Sequence, residues 1–290
     1  MIIRNTFLDI TLQVMFGFLY TITNKKALLY HDLVPITISI CQLFITFNIA
    51  FFIFLIQNKK FNLKTLVSYK KFIPLSIISC GSHIFSIYVI NFMDSSSSQL
   101  FKFFIPLFSI FIGYLFYNNK FKFIKVFYLI IMSQGIYLTL LGKNINLKII
   151  IFNLISNIFT AFKVYENKKI LDNFYYEDEL AIFIISIFFT LLFSFPFILL
   201  EKDKLLITIY QIEFYKFLYI IYSGVFYFLF YGLLNISLKN NTPLTQSVSG
   251  LVVKIFNVLG SIIFFKEKIN KLSIFGYCIT FFGLVMYFVS

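Results

Sequence analysis

Tryptophan is absent from the 290 residues, arginine occurs once, at Arg4, and histidine twice, at His31 and His83. Two isolated histidines cannot form the paired-histidine helix of a zinc hydrolase. The chain also has no glycine-rich phosphate loop and no buried carboxylate pair, so an intramembrane enzyme is not expected. The three cysteines, Cys41, Cys80 and Cys278, fall in apolar runs without paired spacing. They read as buried inert thiols, which excludes a disulfide framework and a metal cluster. No cofactor or metal is implied. Charge is scarce as well, at 13% of residues, and only 12 positions are acidic against 25 basic. The excess of lysine is scattered through short loops and does not form a nucleic-acid surface. The residue bias is that of an AT-rich coding genome, so aromatic abundance carries little functional information.

What is abundant is apolar surface. Hydrophobic residues make up 60% of the chain, and the mean hydropathy is +0.89. A soluble domain of this length could not hide that much, so the solvent is lipid. A spanning helix needs about 20 apolar residues. That ruler gives ten spans, at 7–24, 33–57, 68–91, 96–117, 123–142, 148–165, 179–200, 212–237, 243–265 and 271–289. No cleavable leader is evident ahead of the first span. Pro35 and Pro243 stand where helices begin, and a first-turn proline loses no helical hydrogen bond. Pro106 lies inside a span and should kink it. Gly135, Gly142, Gly276 and Gly283 should permit close helix contact. The run Ser95-Ser96-Ser97-Ser98 reads as a self-capping helix start, and Glu177-Asp178-Glu179 as the polar start of the seventh helix.

The chain repeats itself. Phe116-Tyr117-Asn118-Asn119-Lys120 followed by Gly135 matches Phe264-Phe265-Lys266-Glu267-Lys268 followed by Gly283, at an offset of 148 (264 − 116). Asn24-Lys25-Lys26 recurs as Asn167-Lys168-Lys169, at an offset of 143 (167 − 24). These lysine pairs read as interfacial anchors. The fold class expected is therefore an all-α membrane protein of ten transmembrane helices in two inverted five-helix repeats, 1–145 and 146–290. An odd number of spans per half turns the second half upside down, and such carriers hold substrate at mid-membrane between the halves. Loop lysines lean slightly toward cytosolic termini.

Three lysines carry the chemistry. Lys102, Lys163 and Lys254 lie inside long apolar segments that contain no carboxylate. Each costs about 2.5–3.5 kcal/mol near a bilayer centre on insertion scales. Lys102 sits about 10 Å deep at 1.5 Å per residue, and Lys254 is mid-helix. Lys163, near a helix end, has the alternative of snorkelling to the headgroups. The counter-charge they need comes from outside the sequence, as an anionic substrate. Lysine suits phosphate as a compact charge with three donors. An empty site bearing like charges resists closing, whereas a divalent anion neutralises it, so only loaded carriers should cross and exchange should be obligatory.

Four segments in order resemble the triose-phosphate/phosphate translocators of plastids, within the drug/metabolite transporter superfamily. They are Thr23-Asn24-Lys25-Lys26, the stretch from His83 to Pro106, Ser156-Asn157-Ile158 through Lys163 to Lys168-Lys169, and Pro243-Leu244-Thr245 through Lys254 to Ser261-Ile262-Ile263. The resemblance implies substrate contacts at His83, Ser86, Lys102, Lys163, Tyr231 and Lys254. Lys102 occupies the lysine of the family's K-x-x-x-P motif, and Lys163 stands where arginine is usual. The family's Lys-Arg pair becomes Val253-Lys254, which replaces a bidentate fork with a point charge. Phe230 aligns with a phosphate-contacting tyrosine, and Tyr231 follows it. The function expected is exchange of inorganic phosphate for phosphorylated three-carbon metabolites: triose phosphate, 3-phosphoglycerate or phosphoenolpyruvate. The alternative is a nucleotide-sugar transporter of the secretory pathway. The partners expected are these phosphorylated solutes, inorganic phosphate and membrane lipid, with no nucleic acid. The location implied is a plastid-type organelle (apicoplast) membrane, or else the Golgi or endoplasmic reticulum.

Overall fold

The computed structural model describes residues 6–30, 34–58, 69–120, 122–141, 146–174, 178–204, 214–267 and 270–289. Arg4, His31, Gly142, Glu177 and Lys268 lie outside them. The described residues form ten helical rods and no strand. They are α1 (Thr6–Tyr30), α2 (Pro35–Ile56), α3 (Phe72–Phe92), α4 (Ser95–Tyr117), α5 (Phe123–Leu141) and α6 (Leu147–Asn173). They continue as α7 (Glu179–Ser194, extended by a 3₁₀ stretch Phe195–Glu201), α8 (Phe214–Asn240), α9 (Pro243–Phe265) and α10 (Lys271–Val289). Eight of these are long and apolar enough to cross a membrane; α1 and the shorter α10 are the exceptions. Outward-facing side chains such as Phe52, Leu115, Phe123 and Ile263 are exposed. That surface makes sense only against lipid, and the chain is an integral membrane protein.

The helix ends follow their local chemistry. Pro35 and Pro243 open α2 and α9. Asp178 caps α7 by accepting from the Leu180 amide at 2.8 Å. The serine run does not cap α4. Ser95 to Ser98 are all buried, and the Glu267 carboxylate accepts from the Ser96 amide (3.2 Å) and hydroxyl instead. A carboxylate is the stronger acceptor at a helix N-terminus, where the dipole also favours negative charge. Lys25 is equally far from an interfacial anchor. It is buried and donates to the Ile90 and Met93 carbonyls, at 2.6 and 2.9 Å, at the C-terminal end of α3. Lys168 does the same for α8 through the Lys239 carbonyl at 2.8 Å. Cys80 is buried, but Cys278 is exposed, against expectation.

The most extensive pairings are α5 with α10, α1 with α8, and α3 with α6; α2–α8, α3–α7, α1–α9, α4–α6, α2–α7 and α4–α9 follow. Small residues set the closest approach. A Cβ added at Gly135 would lie 2.6 Å from the Thr280 nitrogen, and one at Gly276 would lie 2.6 Å from the Gly135 carbonyl oxygen. Only hydrogen fits there, which is how α5 and α10 touch backbone to backbone. Buried clusters run on either side of the centre, one through Leu100, Met132, Leu251 and Leu284, another through Leu43, Phe54, Phe183 and Tyr227. A void opens where Leu251 of the first cluster and Tyr231, packed on the second, both line its wall.

Candidate functional site: a lysine-lined cavity between four helices

The void has a volume of about 100 Å³ and is walled by α4, α6, α8 and α9. Helix α4 contributes Lys102 and Ile105, α6 Thr160, Lys163 and Asn167, α8 Phe230, Tyr231 and Asn235, and α9 Gln246, Ser247 and Lys254. Pro106 explains how Lys102 reaches it. Lacking an amide proton, Pro106 cannot bond the Lys102 carbonyl, which takes the Ile105 amide instead. The helix tightens to a 3₁₀ turn at Lys102–Phe104 before resuming at Ile105.

All three membrane lysines therefore share one chamber. Among the described residues no carboxylate lies within 4.0 Å of any of them. Two of them face aromatic rings: the Lys163 Nζ sits 4.4 Å from the Tyr231 ring centre, and the Lys254 Nζ 5.9 Å from that of Phe230. Such contacts are worth about 0.5–2 kcal/mol each, more as water is excluded. They hold an ammonium in place without neutralising it. Glu166, three residues past Lys163 on α6, is engaged elsewhere, as is Glu179 at the start of α7. Glu166 accepts from the Tyr117 hydroxyl at 2.6 Å, and Glu179 pairs with Lys239 at 3.0 Å. The chamber thus presents net positive charge on low-dielectric walls, suited to a multivalent oxyanion.

Lys102, Lys163, Tyr231 and Lys254 are brought together on one void, and Phe230 and Tyr231 both line it. Lys163 points inward over Tyr231 and does not snorkel. His83 and Ser86 are not on the wall. His83 is buried on α3, with Nε2 3.3 Å from the Ser39 carbonyl oxygen and its ring 4.8 Å from that of Tyr227. Tyr227 in turn lies 4.2 Å from Tyr231, so the imidazole backs the aromatic wall from one layer behind. Ser86 is half-buried on the same helix. A small annexe of about 20 Å³ shares Lys163, Asn167, Tyr231 and Asn235 with the main void and reaches Ser79, Thr190 and Tyr227.

Sequence reasoning missed the neutral polar lining, Thr160, Asn167, Asn235 and Gln246, and also a pattern that relates the two deep lysines. Across α4 and α9 the Ser95 and Ser261 hydroxyls meet at 2.9 Å, as do Ser109 and Ser247. Ser95, Lys102 and Ser109 are offset from Ser247, Lys254 and Ser261 by 152 positions each (247 − 95, 254 − 102, 261 − 109). The motif S-x6-K-x6-S occurs once in each half, and the serine contacts clamp two antiparallel copies with their lysines level. The spacing was visible in the sequence. Its meaning depended on the crossing of two helices.

A helical membrane protein with a buried, basic, solute-sized chamber belongs to the class of membrane transporters for anionic solutes. The model of the triose-phosphate transporter family matches residues 9–288, and the chain belongs to that family. It is a membrane transporter, in the broad sense in which the family carries phosphorylated metabolites or nucleotide sugars. No curated protein matches the chain. Among solved structures, one crystal structure of a protein with 11% sequence identity superposes with a TM-score of 0.59 over 96% of both chains, a likeness of fold alone.

Proposed function

We propose that the protein is an antiporter exchanging inorganic phosphate for phosphorylated three-carbon metabolites. It acts by alternating access of ten transmembrane helices arranged as two inverted five-helix repeats. The carrying observation is that Lys102, Lys163 and Lys254 line one cavity, with no carboxylate beside them among the described residues. A doubly negative phosphate ester completes that electrostatics and permits closure of a site whose empty form repels itself.

Several observations support the repeat. The helix pairings interchange when each helix is advanced by five: α1–α8 becomes α6–α3, α2–α8 becomes α7–α3, and α1–α9 becomes α6–α4. Lys25 on α1 caps α3 as Lys168 on α6 caps α8. Lys102 and Lys254 are counterparts within the S-x6-K-x6-S motif. Rocking of the halves about this centre would expose the lysines to each side in turn. In this reading the protein is a carrier, not an enzyme, and works in a plastid-type organelle membrane.

Counter-exchange in liposomes tests the proposal. Labelled phosphate should enter rapidly when phosphate, triose phosphate or 3-phosphoglycerate is trapped inside, and slowly into vesicles holding no anion. Fast uptake into anion-free vesicles would end the obligatory-exchange reading. Exchange driven by UDP-sugars and not by three-carbon phosphates would favour a nucleotide-sugar carrier.

A further inference from the structure

Helices α2 and α8 run side by side in the same direction and then part. At Gly224 they touch: a Cβ added there would lie 2.8 Å from the Ile45 side chain, and the Thr46 hydroxyl donates to the Gly224 carbonyl at 3.1 Å. Further along α8, at Gly232, an added Cβ would meet nothing within 4 Å. The gap left between α2, α8 and the start of α7 is a groove of about 330 Å³, against about 100 Å³ for the lysine chamber. Asn235 lines both, so the groove lies behind the chamber's wall. Gly232 lines the groove but neither the chamber nor its annexe.

The groove is polar at one end and apolar along its length. Gln57, Asp178 and Glu179 form the mouth, where the spans of α2 and α7 end. Ile53, Phe183, Leu233 and Phe228 form the trough. Phe183 lies about 8 Å down the α7 axis from Asp178, and Phe228 about 18 Å from the end of α8, at 1.5 Å per residue. A polar mouth at headgroup depth over an apolar trough has the profile of a phospholipid. Two mouth residues are carboxylates, and among the described residues no basic side chain lines the groove. Lys239 pairs with Glu179 at 3.0 Å from beyond it. A zwitterion thus finds both poles: carboxylates facing the trough, and an ammonium past them.

The chain itself shows what such a groove takes. In the repeat proposed above, advancing by five turns α2, α7 and α8 into α7, α2 and α3. At that related place the 3₁₀ stretch Phe195–Glu201 folds in. Ile198 packs against Ile36, Ile40, Cys80 and Ile84, and the Glu201 carboxylate accepts from the Ile36 and Thr37 amides at 2.9 and 2.8 Å. One segment supplies an apolar plug and a charged cap. The matching stretch of α2 ends at Gln57, 144 positions before Glu201 (201 − 57), and stays α-helical through Ile56. The α2–α7–α8 groove therefore receives no plug from it. An apolar trough left unfilled forfeits its dispersion contacts, and in a bilayer the filler at hand is an acyl chain.

We infer that this groove is a binding site for a phospholipid with a primary-amine headgroup, its acyl chain in the trough and its ammonium on Asp178 and Glu179. Carboxylates select an amine that donates hydrogen bonds. A quaternary ammonium favours aromatic faces, and Phe183 and Phe228 stand in the trough, away from the mouth. An anionic headgroup without an amine meets like charge there. The site is separate from the solute chamber and does not depend on which solute is carried.

Native mass spectrometry of the purified full chain tests the inference. The probes are phosphatidylethanolamine, phosphatidylcholine and phosphatidylglycerol with identical acyl chains, and the quantity read is the affinity for the first bound lipid. Charge-assisted hydrogen bonds should give phosphatidylethanolamine a preference of about tenfold over the other two. Asp178→Asn keeps an N-cap acceptor and, combined with Glu179→Gln, should bring the three lipids level. Gly232→Phe fills the trough where space is open and should weaken the first phosphatidylethanolamine about tenfold or more. The smaller Gly232→Leu serves where the phenylalanine variant does not fold. Equal binding of the three lipids by the parent, or a preference that survives loss of both carboxylates, overturns the proposal. So does phosphatidylethanolamine binding that filling the trough leaves unchanged, because the lipid then sits elsewhere.

Discussion

Replacing Lys254 by methionine removes one ammonium from the chamber and keeps an unbranched side chain of similar reach. Two opposed consequences follow, and their opposition makes the experiment decisive. In the empty protein three like charges face one cavity. A pair about 8 Å apart repels by about 2 kcal/mol at an effective dielectric near 20. Lys254→Met deletes two such pairs, a relief of up to about 4 kcal/mol, against the loss of one contact to Phe230 worth about 0.5–1 kcal/mol. The ligand-free variant should therefore melt at a higher temperature than the parent. With phosphate the sign reverses. One charge-assisted hydrogen bond, worth about 1.5–3 kcal/mol, is gone, so phosphate should bind about ten- to a hundredfold more weakly and its thermal stabilisation should shrink accordingly. Closure of the empty carrier also becomes easier, so uptake into anion-free liposomes should rise relative to exchange. Thermal unfolding in detergent, with and without phosphate, and paired uptake assays read all three effects. A Lys254→Met protein that melts lower than the parent, keeps the full phosphate-induced shift and stays tightly coupled would refute the reasoning.

Other consequences are smaller in reach. Tyr231→Leu removes the ring beneath Lys163 and should raise the KM for phosphate several-fold, while Tyr231→Phe should stay within about threefold, because the face and not the hydroxyl holds the ammonium; exchange kinetics distinguish the two. Gly135→Leu forces a side chain into the Thr280 backbone and should destabilise the α5–α10 pair by about 2 kcal/mol or more, read as a lowered Tm. Lys25→Met leaves the Ile90 and Met93 carbonyls without their ammonium donor and should cost about 1–3 kcal/mol, whereas the exposed Lys169→Met should be nearly silent in the same melt. Glu267→Gln weakens the cap on α4 and should lower the Tm.

The residues differ in how far they could be read without a structure. Lys102 and Lys254 announced themselves, since an uncompensated charge in an apolar run has few explanations. Pro35, Pro243 and Asp178 also behaved as local rules require. Ser95 to Ser98 did not, because the better acceptor, Glu267, arrives from a loop 171 positions away (267 − 96). Lys25 looked like an anchor until α3 ended against it. His83 matched a spacing, yet its ring lies behind Tyr227 and not on the wall. Asn235 and Gln246 are unremarkable in the chain and matter only because α6, α8 and α9 meet there.

Taken alone, the order of amino acids settled which segments are helices and that lipid surrounds them, because length and hydropathy act within one segment and need no partner. It also settled that positive charge would lie deep in the membrane, since no choice of packing removes a lysine from the middle of its helix. Tertiary structure decided which faces met: that three lysines share one void, that serines clamp the two copies of their motif, and that α2 and α8 part to open a groove behind the chamber. Those outcomes depend on the rotation and crossing of helices distant in the chain, and no local property encodes them.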